Sequence, residues 1–192
     1  MPSLNWNFAE VVNSPALAII EQAPLPGLGY SPKCESTRRA IEKLLVDKIS
    51  IGGGNSKKTS ETLALSGLWL LAGELDRSHS LSQSIETAEG AYWHGIMHRR
   101  EGDFWNSKYW FRRVGNHAVL AELAETMTSH GQQLEAAGLS CSALVCSRTL
   151  AASLVDLCQA AMLEKQNDLV PQLELICWWE WQLLFRYSLL QS

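Results

Sequence analysis

Several features that are typical of well-known functional classes are missing from this chain. Its five cysteines include no C-x-x-C pair, which argues against a paired-cysteine zinc motif and predicts free thiols in a reducing compartment. The 16 basic and 20 acidic side chains give a net charge of −4, so the molecule as a whole lacks the positive charge of a nucleic-acid-binding protein. No basic residue precedes Lys33, and no long apolar run lies near the N-terminus. A secretory signal is therefore not visible, and we expect a cytoplasmic protein.

Common nucleotide-binding and hydrolase motifs are missing as well. The glycine-rich tract 52–59 has Ser56 where a phosphate-binding loop needs a glycine before its lysine. It also follows a predicted helix rather than a strand, so we interpret it as a connector. Neither G-x-G-x-x-G nor G-x-S-x-G occurs, which excludes the dinucleotide-binding fingerprint and the nucleophile elbow.

The hydrophobic pattern predicts helices along the whole chain. No run alternates between apolar and polar residues long enough to indicate a strand. A short helix is predicted at 15–22, and seven more at 36–49, 59–75, 88–101, 105–114, 117–130, 147–164 and 169–190. The serine-rich stretch 76–87 predicts irregular turns, and 132–139 favours neither helix nor turn. We therefore expect an all-α fold, a single domain over residues 1–192 with a bundle of about seven helices and a proline-rich N-terminal arm at 1–33.

The last predicted helix is the most apolar one, but it does not read as a membrane span. Glu174, Glu180 and Arg186 interrupt it, and a charge at bilayer depth costs about 3 kcal/mol. The tryptophans Trp178 and Trp181 lie in its middle, and aromatic residues are enriched in subunit interfaces. We therefore expect no membrane partner and a homo-oligomer formed through this helix.

The segment 93–101 is the most informative, because it places three possible metal ligands on one helical face. At about 100° per residue, His98 lies roughly 40° from His94, and Glu101 lies roughly 20° from it on the other side. Two imidazoles and a carboxylate form a ligand set that Zn, Mn or Fe accepts. Since one helix rarely supplies a complete set, a fourth group is expected from Glu86, His79 or His117.

These residues also suit acid-base chemistry without a metal, because histidine titrates near neutral pH. Candidate catalytic residues are therefore His94, His98 and Glu101, together with His79. A zinc-protease assignment fails, because Gly95 stands where that motif carries its glutamate base.

A local positive region surrounds this stretch. Between Tyr92 and His117 the chain carries a net charge of +3 and seven aromatic residues, inside a chain of net charge −4. A basic region with aromatic walls predicts a pocket for a small anionic molecule. The candidate ligand-binding residues are Trp93, Arg99, Arg100, Lys108, Tyr109, Arg112 and Arg113.

The segment 92–113, with its Y-W-H-x-x-x-H-R-R-E and N-S-K-Y-W-F-R-R strings, resembles the core motif of an uncharacterised protein family in bacteria and fungi. A weaker likeness extends upstream through His79 and Glu86. The resemblance implies that this segment is one unit, and it implies no activity. Part of it, with Gly95 and Phe111, also resembles a single tetratricopeptide-like helical hairpin, in which small residues lie where two helices touch.

Two functions remain open at this point. The first is a small-molecule enzyme or binding protein with a His/Glu/Arg-lined pocket for an anionic ligand, with a divalent metal on His94, His98 and Glu101 and with Glu86 as a further ligand. The second is a non-catalytic helical interaction module, in which the same residues form a structural hydrogen-bond network across the hairpin.

Overall fold

The computed structural model describes residues 4–29, 32–52, 57–140, 144, 149–163 and 167–190. In these ranges it contains ten α-helices, one 3₁₀ turn and no strand apart from an isolated bridge between Val12 and Gly52. The helices are α1 (Ser14–Gln22), α2 (Glu35–Val46), α3 (Lys58–Leu71), α4 (Leu75–Ser82), α5 (Ala88–Glu101), α6 (Phe104–Val114), α7 (Ala118–Ser129), α8 (Gly131–Ala136), α9 (Leu150–Leu163) and α10 (Val170–Leu190). The all-α class is confirmed.

The ten helices outnumber the eight predicted segments, and the expected bundle of about seven, because two stretches without a clear apolar pattern are also helical. The segment predicted as irregular turns forms α4, whose buried face is partly serine rather than aliphatic. Ser78 is fully buried, and its hydroxyl lies 2.8 Å from that of Ser66 on α3. Helix α8 begins at Gly131, where the sequence predicted the end of the preceding helix.

Some predictions fall on parts of the chain that lie outside the described residues. These are the connector at 53–56, two of the predicted free thiols (Cys141 and Cys146) and the predicted helix ends at Ser147 and Glu164. The three described cysteines, Cys34, Cys158 and Cys177, are free thiols.

The N-terminal segment contributes to the core along its described part. Phe8 and Ile20 are each 1% exposed. Asn13 caps α1 by accepting a hydrogen bond from the Ala16 backbone at 2.8 Å, and Pro15 stands in the first turn, where it fits. The backbone NH of Asn5 donates to the Gln182 side chain at 2.9 Å. These contacts anchor the segment predicted as an arm to α10.

Helix α5 occupies the centre of the molecule and positions the candidate site. It begins at the Thr87 cap, ends at Gly102 with a φ of +87°, and is buried from Gly90 to Arg100. It packs tightly against α6 at Gly95, where an added Cβ would lie 3.1 Å from the ring of Phe111. A helix that is buried all round carries polar side chains only where they have partners or a function.

Helix α10 is the second buried element. Trp178, Trp179 and Trp181 are at most 2% exposed, so they are packed inside this chain. The indole nitrogen of Trp181 donates to the Gly67 carbonyl at 3.0 Å. The tryptophans therefore give the predicted oligomer interface no exposed surface, and the oligomer stays a prediction. Within the described ranges, no helix has both the length and the apolar character needed to span a bilayer.

Candidate metal centre

Three imidazole rings meet where α4 packs on α5. The ligand nitrogens of His79, His94 and His98 all lie within 4.8 Å of one another. The ring centroids are 4.6 Å apart for His79 and His94, 5.5 Å for His79 and His98, and 4.7 Å for His94 and His98. The four-residue spacing on α5 brings two rings together, and α4 supplies the third.

His98 is held in a fixed orientation by two polar neighbours. Its Nδ1 lies 2.9 Å from Oε1 of Glu101, and Nδ2 of Asn106 lies 3.1 Å from its Nε2. With Asn106 donating to Nε2, the proton of the neutral ring lies on Nδ1 and is donated to the Glu101 carboxylate. A carboxylate on one nitrogen of a histidine is the arrangement that orients imidazole ligands toward a metal. Asn106 is partly exposed, so a rotation of its side-chain amide would free Nε2 of His98.

His94 lacks the partners that His98 has. Its ring stacks on the indole of Trp110 at 3.9 Å between centroids, and its buried Nδ1 has no hydrogen-bond partner among the described residues. Burial, together with repulsion from His98 and His79, lowers the pKa of His94 to about 3. The ring is therefore neutral at physiological pH, with a free lone pair available for a metal ion.

The residues of the cluster are exposed to different degrees. His94 and His98 are 2% and 5% exposed. His79 is partly exposed, and the Glu101 side chain is 35% exposed. A small ligand would therefore approach along the edge formed by His79 and Glu101.

The predicted metal ligands are distributed differently from the expected set. Glu101 belongs to a second group of nearby ligand atoms with His98 and Asp103, rather than to the group of three imidazoles. Glu86 is exposed and belongs to neither group. His117 caps α7, accepting from the Val119 backbone at 3.2 Å, and its Nε2 lies 3.5 Å from Glu89. His79 is thus the additional group that approaches the pair on α5.

The two arginines of α5 lie away from the histidines. Arg99 is 1% exposed and forms a buried ion pair with Glu180 of α10. Arg100 is 6% exposed and donates from Nη1 to the Leu70 carbonyl. Burial lowers the pKa of Arg100 to about 10, which leaves it charged at neutral pH.

The other predicted ligand-binding residues lie in two further places. Lys108 pairs with Asp156 on the surface, and Arg112 and Arg113 lie over the rings of Tyr109 and Trp110 at 5.8 and 5.0 Å. Trp93 is fully buried and donates to the Ser188 hydroxyl at 3.2 Å. Of the seven predicted ligand-binding residues, four therefore lie at the surface, and Trp93, Arg99 and Arg100 are buried.

Sequence reasoning did not single out Asn106, Trp110 or Glu180. Asn106 and Trp110 reach the histidines because α6 folds back on α5 directly after Gly102. The hairpin prediction places α6 beside α5, and this was the available signal for both residues. Glu180 carried no such signal, since it lies 81 residues from the arginine that it pairs with.

Comparisons with protein-family models, with curated proteins and with solved structures give no match to this chain. The function is therefore argued from the geometry of the site alone.

Proposed function

We propose that this protein is a small-molecule enzyme or binding protein that holds one divalent metal ion on His79, His94 and His98. Zinc is the ion that a set of three neutral imidazoles suits best, ahead of the manganese and iron that a carboxylate in the set would favour. The observation that carries the proposal is the convergence of three ligand nitrogens within 4.8 Å, one of them on a ring whose buried Nδ1 finds no hydrogen-bond partner in the described part of the chain.

Two further features support the proposal. The pairing of Glu101 with Nδ1 of His98 is the contact that orients a ligating histidine and increases its basicity. The partial exposure of His79 and Glu101 leaves one side for a ligand. Three imidazoles on zinc leave a coordination position for water or substrate, and zinc-bound water ionises near neutral pH.

The ligand of this site is proposed to be small and anionic or polarised, because a metal ion attracts a negative or carbonyl oxygen. Glu101, at the exposed edge and hydrogen-bonded to His98, is placed to exchange a proton with a ligand on that side. A cytoplasmic location and a homo-oligomeric state remain part of this proposal.

Metal content tests the proposal. Protein purified without chelator should contain close to one zinc per chain. Zinc at 100 times its Kd should stabilise the fold by about 2.7 kcal/mol, which raises the Tm by roughly 5–10 °C. His94→Ala should remove both effects, and Glu101→Gln should weaken zinc binding about 10- to 100-fold.

The matched control is Glu86→Ala, which removes an exposed carboxylate that the sequence nominated and that the imidazole group does not include. It should keep the metal content and the zinc response. A metal-free wild type whose Tm does not respond to zinc, manganese or iron would refute the proposal.

A non-catalytic interaction module is the second candidate, and one observation favours it. Both nitrogens of His98 already have protein partners, as a structural hydrogen-bond network requires. The close contact of Gly95 with Phe111 and the 2.8 Å bond from Ser107 to the Gly95 carbonyl would then lock a tetratricopeptide-like hairpin. In that case His98→Ala should cost about 1–3 kcal/mol of stability, and metal should change nothing.

A further inference from the structure

A small cavity lies on the side of α5 that faces away from the histidines. It is bounded by the segment around Leu28, by α3 at Leu70, by α5 and by α10, and its volume is about 20 Å³. This is enough room for one particle of about the size of a water molecule. Its walls are apolar apart from Arg99, Arg100 and the thiol of Cys177.

Two of the residues that line this cavity, Arg99 and Arg100, carry buried hydrogen-bond donors for which the described residues offer no partner. Nη1 of Arg99 and Nε of Arg100 are both buried and make no hydrogen bond to any residue that the structure describes. Buried donors are almost always satisfied in folded proteins, by protein atoms or by a bound species. Two such donors on residues that line one cavity therefore point to an occupant that accepts hydrogen bonds.

The charges around the cavity indicate the sign of that occupant. Arg99 has the Glu180 carboxylate as its partner. Arg100 donates to the Leu70 carbonyl, and in the part of the chain that the structure describes no carboxylate pairs with it. Because arginine keeps its proton in proteins, the region holds two positive charges and one negative charge. A buried charge without a counter-charge is strongly unfavourable.

We infer that this cavity binds a single monovalent anion of halide size, chloride under ordinary conditions, between Arg99 and Arg100. A halide is only slightly larger than water and accepts hydrogen bonds from both free donors while it neutralises the excess charge. Phosphate, sulfate and carboxylate ligands are too large for this space. The site is independent of the proposed metal centre, because different side chains of α5 form it.

A thiolate of the Cys158–Cys177 pair is the competing source of negative charge. Cys177 lines the same cavity, and its sulfur lies 4.0 Å from that of Cys158. The hydrogen bond between the two sulfurs lowers the pKa of Cys158 and raises that of Cys177, so the charge would lie on Cys158. If the thiolate supplied the counter-charge, the fold would have no need of a halide. The two possibilities differ in their response to salt and to removal of the thiol.

Thermal unfolding at constant ionic strength tests the inference. Chloride is varied from 1 to 300 mM against gluconate, a bulky monovalent anion that the cavity excludes. Above the Kd, each tenfold increase in chloride should raise the Tm by roughly 3–5 °C. Bromide should replace chloride, and sulfate at matched ionic strength should not reproduce the specific effect.

The test variant is Arg100→Met, which removes the unpaired charge and keeps a long apolar stem. It should lose the chloride response. The matched control is Arg77→Met, which removes a partly exposed arginine that stacks on Trp69 and pairs with Glu42. This control should keep the full response. Equal chloride responses in Arg100→Met and the wild type would overturn the inference.

Crystals of the wild-type protein grown in bromide keep the inference testable even if Arg100→Met does not fold. Anomalous scattering at the bromine edge should give a peak in contact with Nη1 of Arg99 and Nε of Arg100. The halide site would be overturned by a cavity without a peak, together with a wild-type Tm that does not respond to halide and a lower Tm in Cys177→Ala. These results would assign the counter-charge to the thiolate.

Discussion

His94 should make the stability of the metal-free protein strongly dependent on pH. Burial and the two neighbouring imidazoles lower its pKa to about 3 in the folded state, against 6.5 for an unperturbed histidine. Between these two pH values, His94 binds a proton in the unfolded chain but stays neutral in the folded chain. The free energy of unfolding therefore rises with pH across this window. The contribution of His94 to it is lost as the pH falls from about 6.5 to about 3. The difference between the two pKa values corresponds to about 5 kcal/mol.

The assay is urea unfolding of the chelator-treated protein, followed by tryptophan fluorescence between pH 7 and pH 4. His94→Gln removes the titrating ring and should flatten most of the slope. A smaller slope should remain, because burial also lowers the pKa of His117, against an opposing effect of Glu89.

The control is His130→Gln, which removes an imidazole that contacts the ring of Trp179 at a tilted angle and has no ring contact with the cluster of three. It should keep the wild-type slope. If His94→Gln and the wild type lose stability equally on acidification, then His94 is not the neutral, desolvated ring that the geometry implies.

Two further substitutions test the packing that positions the site. Glu180→Gln leaves the buried guanidinium of Arg99 without its carboxylate and should lower the free energy of unfolding by about 3–5 kcal/mol in urea titrations. Gly67→Ala places a methyl carbon 2.7 Å from the Trp93 ring, and it should cost about 1–3 kcal/mol in the same assay.

Each of these substitutions has a matched control. Glu122→Gln removes the carboxylate of an exposed pair with Arg186 and should change stability by less than about 1 kcal/mol. Gly131→Ala adds a methyl group that meets nothing within 4 Å. A test variant that is no less stable than its control would contradict the packing described for that position.

Local sequence signals were sufficient for most helices. The prediction for residues 88–101 coincides with α5, because Thr87 caps its start and Gly102 adopts the left-handed conformation after its end. Of the two helices that the sequence did not predict, α4 buries Ser78, whose hydroxyl and carbonyl bond to Ser66 of α3. A periodicity of aliphatic residues cannot detect a buried face of this kind.

The candidate site was only partly predictable, because the position of one of its three histidines depends on how the helices pack. The spacing of His94 and His98 predicts two rings on one face, and the rings lie 4.7 Å apart. The approach of His79 depends on the packing of α4 against α5, which no local pattern encodes. The same limit applies to Arg99, which the sequence assigned to a pocket for an anion and which pairs with Glu180, 81 residues away.

The most direct test of the metal centre is anomalous scattering at the zinc edge from crystals grown with zinc. We predict one peak about 2.0–2.1 Å from a ring nitrogen of each of His79, His94 and His98. The Asn106 amide should be displaced from Nε2 of His98. Crystals that give no peak at these three rings, with Asn106 still bound to His98, would contradict the proposed metal centre.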